Sequence, residues 1–445
     1  MPSRIGIVGG GALGMTLALR MREQGHDVVV LEGARAAGGL AAPQEIGGYT
    51  WDRFYHVILQ SDRDLLALLR NLGIDEPHWG VTRTGFYTDG VLYSLSTSLE
   101  FLAFPPLNLI DKMRLAGTIL YASRVKDWRP LEKIPVADWL RKLSGKRTFE
   151  RIWLPLLKSK LGENYRIASA AFIWAIIARM YAARRSGLKR EQFGYVDGGY
   201  ATVLKRFEKY LDEKGIELRT GSPVANVRDS GAEAEVTFAD GSTARFDRVI
   251  LTVPANRIGG MLPQLSHAEH EKLGRVVYQG VLCASLLTKK PLASYYVTNI
   301  TDGWVPFTGV IEMTTLVDKK QFGGNSLVYL PRYLAQDDPF WKATDDEVRE
   351  TFLAALERMY PDFRRSDVIE FRVARARDVL AISTLDYSAT TLPAARTSLK
   401  NVFIVNSAQI ESGTLNLNET VGLANRQAAA LAPLLESREP AGAHV

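Results

Sequence analysis

Ile5-Gly6-Ile7-Val8-Gly9-Gly10-Gly11-Ala12-Leu13-Gly14, followed by a helical stretch over residues 15–23 and then Asp27-Val28-Val29-Val30-Leu31-Glu32, decides the fold. The first run is a short apolar strand that ends in G-x-G-x-x-G, and the last is a second strand that ends in an acid. Gly9 permits the tight turn, Gly11 lets a pyrophosphate approach the backbone, and Gly14 lets helix and sheet pack closely. The helix start at Ala12 and Leu13 offers free N–H groups and a partial positive charge to phosphates. Glu32 stands eighteen residues beyond Gly14, where a carboxylate takes ribose hydroxyls. Strand, glycine turn, helix, strand and acid together specify an adenine dinucleotide site. On these residues alone, NAD and FAD are equally good ligands.

Composition sets outer bounds. A chain of 445 residues with a 46% hydrophobic fraction has ample core for two interleaved domains. Cys283 is the only cysteine, so no intramolecular disulfide forms. The glycine turn interrupts the apolar N-terminus, which therefore does not read as a signal peptide. No run reaches the roughly 18 apolar residues of a membrane span; residues 167–178 come nearest. The net charge of +6 is uneven. Residues 112–190 hold 19 Lys and Arg against 5 Asp and Glu, and the remainder is net acidic. That positive face suits an anionic substrate or anionic lipid headgroups, or else is a solvated helical face.

Beyond Glu32 the strand runs into Gly33-Ala34-Arg35-Ala36-Ala37-Gly38-Gly39-Leu40, a loop able to curl over a ligand, with Arg35 offsetting phosphate charge. Residues 52–57, Asp52-Arg53-Phe54-Tyr55-His56-Val57, read as a strand. In this order, these features resemble the flavin-dependent superfamily of amine oxidases, protoporphyrinogen oxidases and carotenoid desaturases, and most of all its bacterial protoporphyrinogen-oxidase-like branch. The resemblance implies an α/β fold: a Rossmann-type FAD-binding domain with an interleaved α+β substrate domain. It implies non-covalent FAD, with residues 35–40 along the pyrophosphate and flavin and Tyr55, His56 and Val57 close to the flavin ring. It implies that Val224 holds the adenine through its backbone, and that the strand containing Thr252 covers the nucleotide half.

The domain boundaries expected are 1–95, 194–264 and 399–445 for the FAD-binding domain, 96–193 for a helical segment, and 265–398 for the substrate domain. Around Pro105-Pro106, the residues Phe101, Phe104, Leu107, Leu109 and Ile110 form an apolar patch beside the basic stretch, the composition of an interfacial contact. Segment 96–190 is thus the candidate for peripheral membrane contact, and the chain is expected in the cytoplasm or at a membrane surface. Residues 265–292 and 308–333 read as strand-rich, residues 419–434 as the closing helix, and residues from 436 onward as a disordered tail.

The sequence departs from the superfamily at two places. Its last nucleotide-domain strand ends in Val405-Asn406-Ser407 where many members have Ala-Gly-Asp. Asn406 can still hydrogen-bond. Asn418 with Glu419 reads as the cap of the closing helix, and the resemblance, which places this helix start against the flavin ring, implies Asn406, Thr420 and Val421 as cofactor contacts. Secondly, amine oxidases carry a lysine on the strand matching Tyr278-Gln279-Gly280-Val281-Leu282-Cys283-Ala284, and here there is none. His56, with Tyr55 beside it, is the candidate to polarise substrate or flavin, or else packs around the cofactor. Tyr295, Tyr296, Tyr329, Arg332 and Tyr333 are assigned to the far cavity wall. No metal site is expected, and no nucleic-acid partner.

The resemblance implies an oxidase or desaturase that removes hydride, and the cavity-building and basic segments suit a large, partly apolar, anionic substrate such as a tetrapyrrole or an isoprenoid lipid. Three rivals stay open: a flavin-dependent UDP-sugar mutase, an amine oxidase, and a non-catalytic prenyl-binding protein of the same fold.

Overall fold

The computed structural model describes residues 2–184, 192–411 and 414–436. The far end of the basic segment (185–190) and the tail (437–445) lie outside them. A five-stranded, wholly parallel sheet runs in the order Glu217–Arg219, Asp27–Leu31, Arg4–Val8, Arg248–Leu251, Val402–Ile404. Both faces are covered, so its strands are near-continuous apolar runs (Ile5, Ile7, Val8; Val28 to Leu31) rather than alternating ones. The glycine helix Ala12–Glu23 packs on one face, between the sheet and the closing helix Leu417–Glu436. A three-stranded antiparallel sheet, Val224–Asp229, Ala234–Phe238 and Thr243–Phe246, covers the other side.

A second layer is a seven-stranded sheet in the order Val368–Ala381, Tyr278–Thr288, Ser326–Leu334, Gly309–Glu312, Val297–Ile300, Thr84–Thr88, Val91–Ser94. Its last two strands come from within the first 95 residues, so that stretch is shared between the two layers. The hairpin closes at Asp89-Gly90, both at positive φ, as a two-residue turn requires. One face of this sheet packs on helix Asp345–Met359. The other looks towards Trp51, Phe54, Tyr55 and Val57 and forms a separate aromatic core.

Between residues 98 and 184, helices Ser98–Ala103, Leu109–Ala122, Val136–Ser144, Leu154–Leu161 and Ala170–Arg184 build their own core around Trp139, Phe149, Trp153 and Trp174. The long apolar run of the sequence is the centre of this module. Ala170 to Ala175 are each at most 9% exposed, because a helix apolar all round is one surrounded by others. Among the described residues, no helix is long and apolar enough to cross a membrane.

Three expectations change. The strand placed at residues 52–57 ends at Asp52. Its partner strand starts at Pro43, which has no N–H to continue the ladder and follows the 3-10 turn Gly39–Ala41. Residues 265–292 begin with helix His267–Arg275, because Ser266 and Glu269 form a reciprocal cap there. In the apolar patch, Phe104 and Leu107 are buried. Leu109 and Ile110 are exposed as expected, and Leu99, Leu102 and Met113 join them.

Candidate functional site

The site begins where the parallel strands end, as ligand sites in such sheets do. Gly9 has φ +114°, and a Cβ there would lie 2.4 Å from Thr252 Oγ1. Thr252 in turn donates to Val8 O at 2.9 Å, so it supports the turn from below. A Cβ on Gly14 would lie 1.9 Å from Gly9 O. Gly11 and Gly39 face each other with no side chain between them: a Cβ on Gly11 meets only Gly39 Cα, at 4.0 Å. The first-turn N–H groups of Ala12, Leu13 and Gly14 have no acceptor within their own helix. Glu32 turns both oxygens to this loop, accepting from Gly10 N and Ala34 N at 2.7 Å each. Gly33 is pressed against Pro223, which puts Val224 next to it. Arg35 is exposed at the rim, and Gly38 N bonds back to Gly10 O at 2.8 Å. A side-chain-free cleft, free helix N–H groups and a fixed carboxylate fit the adenosine diphosphate half of FAD.

Leu40 and the irregular segment 53–57 continue the site towards the second layer. Arg53 is anchored to Gly39 O at 3.0 Å, while its Nε is buried without a partner. Asp52 is 3% exposed. Its Oδ1 accepts from Tyr200 N at 2.7 Å, and its Oδ2 lies 3.4 Å from His56 Nδ1. The His56 ring stands edge-on to Tyr200, centres 4.7 Å apart. A buried carboxylate thus lies within ion-pair distance below His56, without a hydrogen bond to Nδ1, and an aromatic ring flanks it. Asp52 and Tyr200 were not singled out by the sequence reading. The glycine return at Gly198-Gly199, where Asp52 Oδ1 is the nearest neighbour of Gly199, was the available signal.

The far end differs from expectation. The closing helix starts at Leu417, with Asn416 as its cap: Asn416 Oδ1 accepts from Glu419 N at 3.0 Å and Asn416 O from Thr420 N at 3.0 Å. Asn418 is occupied elsewhere, its Oδ1 capping helix Arg63–Asn71 through Asp64 N and Leu65 N. Among the described residues, the free N–H groups therefore belong to Leu417 and Asn418. Thr420 is tied to Asn416, and Val421 is fully buried in the core. Asn406 is also fully buried, with Oδ1 on Ala408 N and Nδ2 left without a partner. Beside this helix start, a cavity of about 220 Å³ is lined by Trp174, Ala175, Asn418, Glu419 and the ion pair Asp62–Arg179 (2.9 Å).

The wall opposite His56 is the inner face of the seven-stranded sheet. Tyr55 and Tyr333 share a hydrogen bond of 3.0 Å, and Tyr329 donates to Asp52 O at 2.6 Å. Burial, and then the neighbouring Tyr333, holds the Tyr55 phenol protonated well above its ordinary range. Strand Tyr278–Thr288 is buried along its whole length, and burial pushes the Cys283 thiol up, which makes it a packing residue. Tyr296 packs against Phe193 with the rings tilted by 48°, and Tyr295 lies against Arg83 instead. Arg332 lies over Phe340.

The model of the flavin containing amine oxidoreductase family matches residues 14–414. The chain belongs to that family. Zeta-carotene desaturase of Synechocystis sp. is 21% identical to it across 96% of both chains. Coproporphyrinogen III oxidase of Bacillus subtilis is 24% identical over 302 residues, which are 60% of this chain and 63% of the Bacillus protein. A solved putrescine oxidase bound to putrescine superposes with a TM-score of 0.72 at 17% identity, covering 97% of this chain and 99% of that one. The protein is an FAD-dependent oxidoreductase of the oxidase or desaturase type.

Proposed function

We propose that this enzyme dehydrogenates a large, mostly apolar substrate at a C–H bond held between His56 and the aromatic face of the seven-stranded sheet. One observation carries the reading: strand Tyr278–Thr288, the wall of that face, is buried throughout and bears no charged side chain. An amine oxidase would be expected to place a lysine there. FAD, when bound, supplies the two-electron acceptor that takes hydride, and dioxygen or another oxidant restores it. The chain's own groups orient the substrate, exclude water and handle the proton. As one carbon gives up hydride, its neighbour gives up a proton and a C=C bond forms. His56 takes that proton at Nε2, and Asp52 Oδ2, 3.4 Å from Nδ1, stabilises the imidazolium. The nucleotide half of FAD would be held by Gly9, Gly11, Ala12, Leu13, Gly14, Glu32, Gly33, Arg35, Gly38, Gly39, Val224 and Thr252. The flavin half would be held by Leu40, Tyr55, His56, Val57, Asn406 and the helix start at Leu417.

The substrate class draws support from the relatives, whose names place one on a carotene and the other on a porphyrinogen. Both are large and poorly soluble. On helices Ser98–Ala103 and Leu109–Ala122, Leu99, Leu109 and Met113 are 78%, 65% and 62% exposed, with exposed Arg114 next to Met113 and exposed Arg124 and Lys126 just past the end of the second helix. Apolar residues framed by cations suit docking on an anionic lipid surface, from which such a substrate would enter. The test is anaerobic bleaching of the flavin of the purified holoenzyme. A porphyrinogen or a carotene precursor should bleach it and putrescine should not; bleaching by putrescine alone overturns the reading. Co-sedimentation with phosphatidylglycerol-containing vesicles, lost in a Leu109→Asp/Met113→Asp double variant, tests the docking.

A further inference from the structure

Where the helical module meets the inner face of the sheet, two hydrogen-bond donors, Lys160 Nζ and Gln279 Nε2, have no acceptor among the described residues. Lys160, on helix Leu154–Leu161, lies with Nζ 4.8 Å from the centre of the Tyr333 ring. The helix is pinned there: Thr308 Oγ1 donates to Ser159 O at 2.9 Å, and Thr308 N bonds Pro331 O on the neighbouring strand at 2.7 Å. The Tyr333 hydroxyl meets that of Tyr55 at 3.0 Å. One helical turn on from Lys160, Asn164 Nδ2 donates to Gln279 Oε1 at 3.0 Å. That fixes the Gln279 amide and leaves its Nε2 buried with no acceptor, in a residue 0% exposed. Val281 pairs with Tyr333 across the sheet, so Gln279 and Tyr333 are diagonal neighbours on one face.

Glu163, the acid closest in sequence to Lys160, is engaged by Arg166 at 2.7 Å and Lys158 at 3.9 Å. Among the described residues, no carboxylate lies within ion-pair distance of Lys160. Lys160 is half-exposed and its ammonium can be hydrated, so it is the buried amide without an acceptor that weighs against stability, at about 1–3 kcal/mol. The ammonium and the amide are satisfied together by one anion bearing two acceptor oxygens. A single positive charge matches a monoanion, whereas a diphosphate would call for more cations.

We infer that Lys160, Gln279 and the Tyr55–Tyr333 hydroxyl pair form a subsite for a carboxylate carried by the substrate. The inference rests on the reading of the enzyme as a dehydrogenase of large apolar molecules, and adds to it that the molecule is an acid. It also assigns specificity to the helical module, since Lys160 comes from that module alone.

The test is equilibrium binding to the FAD-loaded enzyme, followed by the absorbance of the added compound and of the flavin. Two acid–ester pairs serve as probes: coproporphyrin III with its tetramethyl ester, and retinoic acid with methyl retinoate. In at least one pair the acid should bind ten-fold or more tightly than the ester. Lys160→Met should abolish that preference and Lys160→Arg should keep most of it. Gln279→Glu, which puts a carboxylate among the donors, should weaken the acid at least ten-fold and leave the ester within three-fold. Flavin content and melting temperature report whether each variant is folded, and three variants at two positions keep the comparison alive if one is not. Equal binding of acid and ester overturns the subsite and leaves the substrate reading intact. So does an acid preference that survives both Lys160→Met and Gln279→Glu. If neither pair binds, the substrate reading itself falls, and the subsite with it.

Discussion

Glu32→Gln keeps the size of the side chain and removes its charge, which isolates what the carboxylate does. In the structure its two oxygens accept from Gly10 N and Ala34 N, both at 2.7 Å. Glutamine offers only one acceptor oxygen, and its NH₂ must then face an N–H. Gly10 is buried and Ala34 exposed. The amide oxygen therefore turns to Gly10, and water separates the NH₂ from Ala34. Losing one charge-assisted bond in this half-exposed setting costs about 1 kcal/mol of folding stability, with or without FAD, whereas loss of the anionic acceptor for the ribose hydroxyls costs about 1–2 kcal/mol of binding. Only the second part counts for FAD, whose affinity falls roughly 5- to 30-fold at 1.4 kcal/mol per decade. The assay is reconstitution of deflavinated protein, titrated with FAD and read by the quenching of flavin fluorescence. FMN, which lacks the adenosine half, is the control: its weak binding should be the same in wild type and variant. An FAD affinity within three-fold of wild type, or an equal fall for FMN, would refute the placement of Glu32 on the ribose.

Three further outcomes follow from the geometry. Gly14→Ala drives a methyl to 1.9 Å from Gly9 O, which forces helix and turn apart; it should yield protein free of flavin and destabilised by about 3 kcal/mol or more, read as loss of yellow colour and a lower melting temperature. Asp52→Asn keeps the bond to Tyr200 N and removes the charge beside His56; kcat should fall ten-fold or more while FAD affinity stays within three-fold. Glu312 is 1% exposed, and burial pushes its carboxyl up to about 7, against the pull of the Ala293 and Leu292 N–H groups and Lys319. Because its folded value is raised, its contribution is fully present below the unfolded value of 4.5 and is lost as pH rises through 7. That amounts to roughly 3 kcal/mol by pH 8. Glu312→Gln can serve Leu292 N and Ala293 N through its one oxygen. It should match wild type near pH 4 and melt at a higher temperature at pH 8; identical pH profiles of melting would contradict this.

The parts of the site that were legible in the sequence are those whose logic is local. Gly9, Gly14 and Glu32 act over one strand–turn–helix–strand unit, and their spacing alone determines what they can touch. The closing helix shows the opposite case. Asn416 and Asn418 are equally good caps by residue type, and the choice between them falls to a different helix, whose open N-terminus at Asp64 and Leu65 claims Asn418. The end of the strand at Asp52 depended on where its partner begins, at Pro43. Lys160 and Gln279 are more than a hundred residues apart, and only the pairing of Val281 with Tyr333, together with the contact of Asn164 with Gln279, brings them to one place. No local pattern carries that information.

The division between backbone and side chain also explains how relatives at 21% identity across nearly the whole chain can belong to one flavin family. The dinucleotide end is built from backbone N–H groups, glycine clearances and a single acid. Such a site constrains few side chains, so the rest of the sequence drifts without loss of FAD. The wall facing His56 is the reverse: its character comes from side chains, and one of them, Lys160, is delivered by an inserted helical module with a core of its own. A module that folds around its own core can change its inward-facing residues without disturbing the parallel sheet. Substitutions on its inner face should therefore alter the KM for substrate while leaving flavin content and spectrum unchanged. Substitutions around Gly9 to Gly14 should do the opposite. A set of Lys160 variants whose flavin affinity fell in step with substrate affinity would show that the two layers are coupled and would defeat this account.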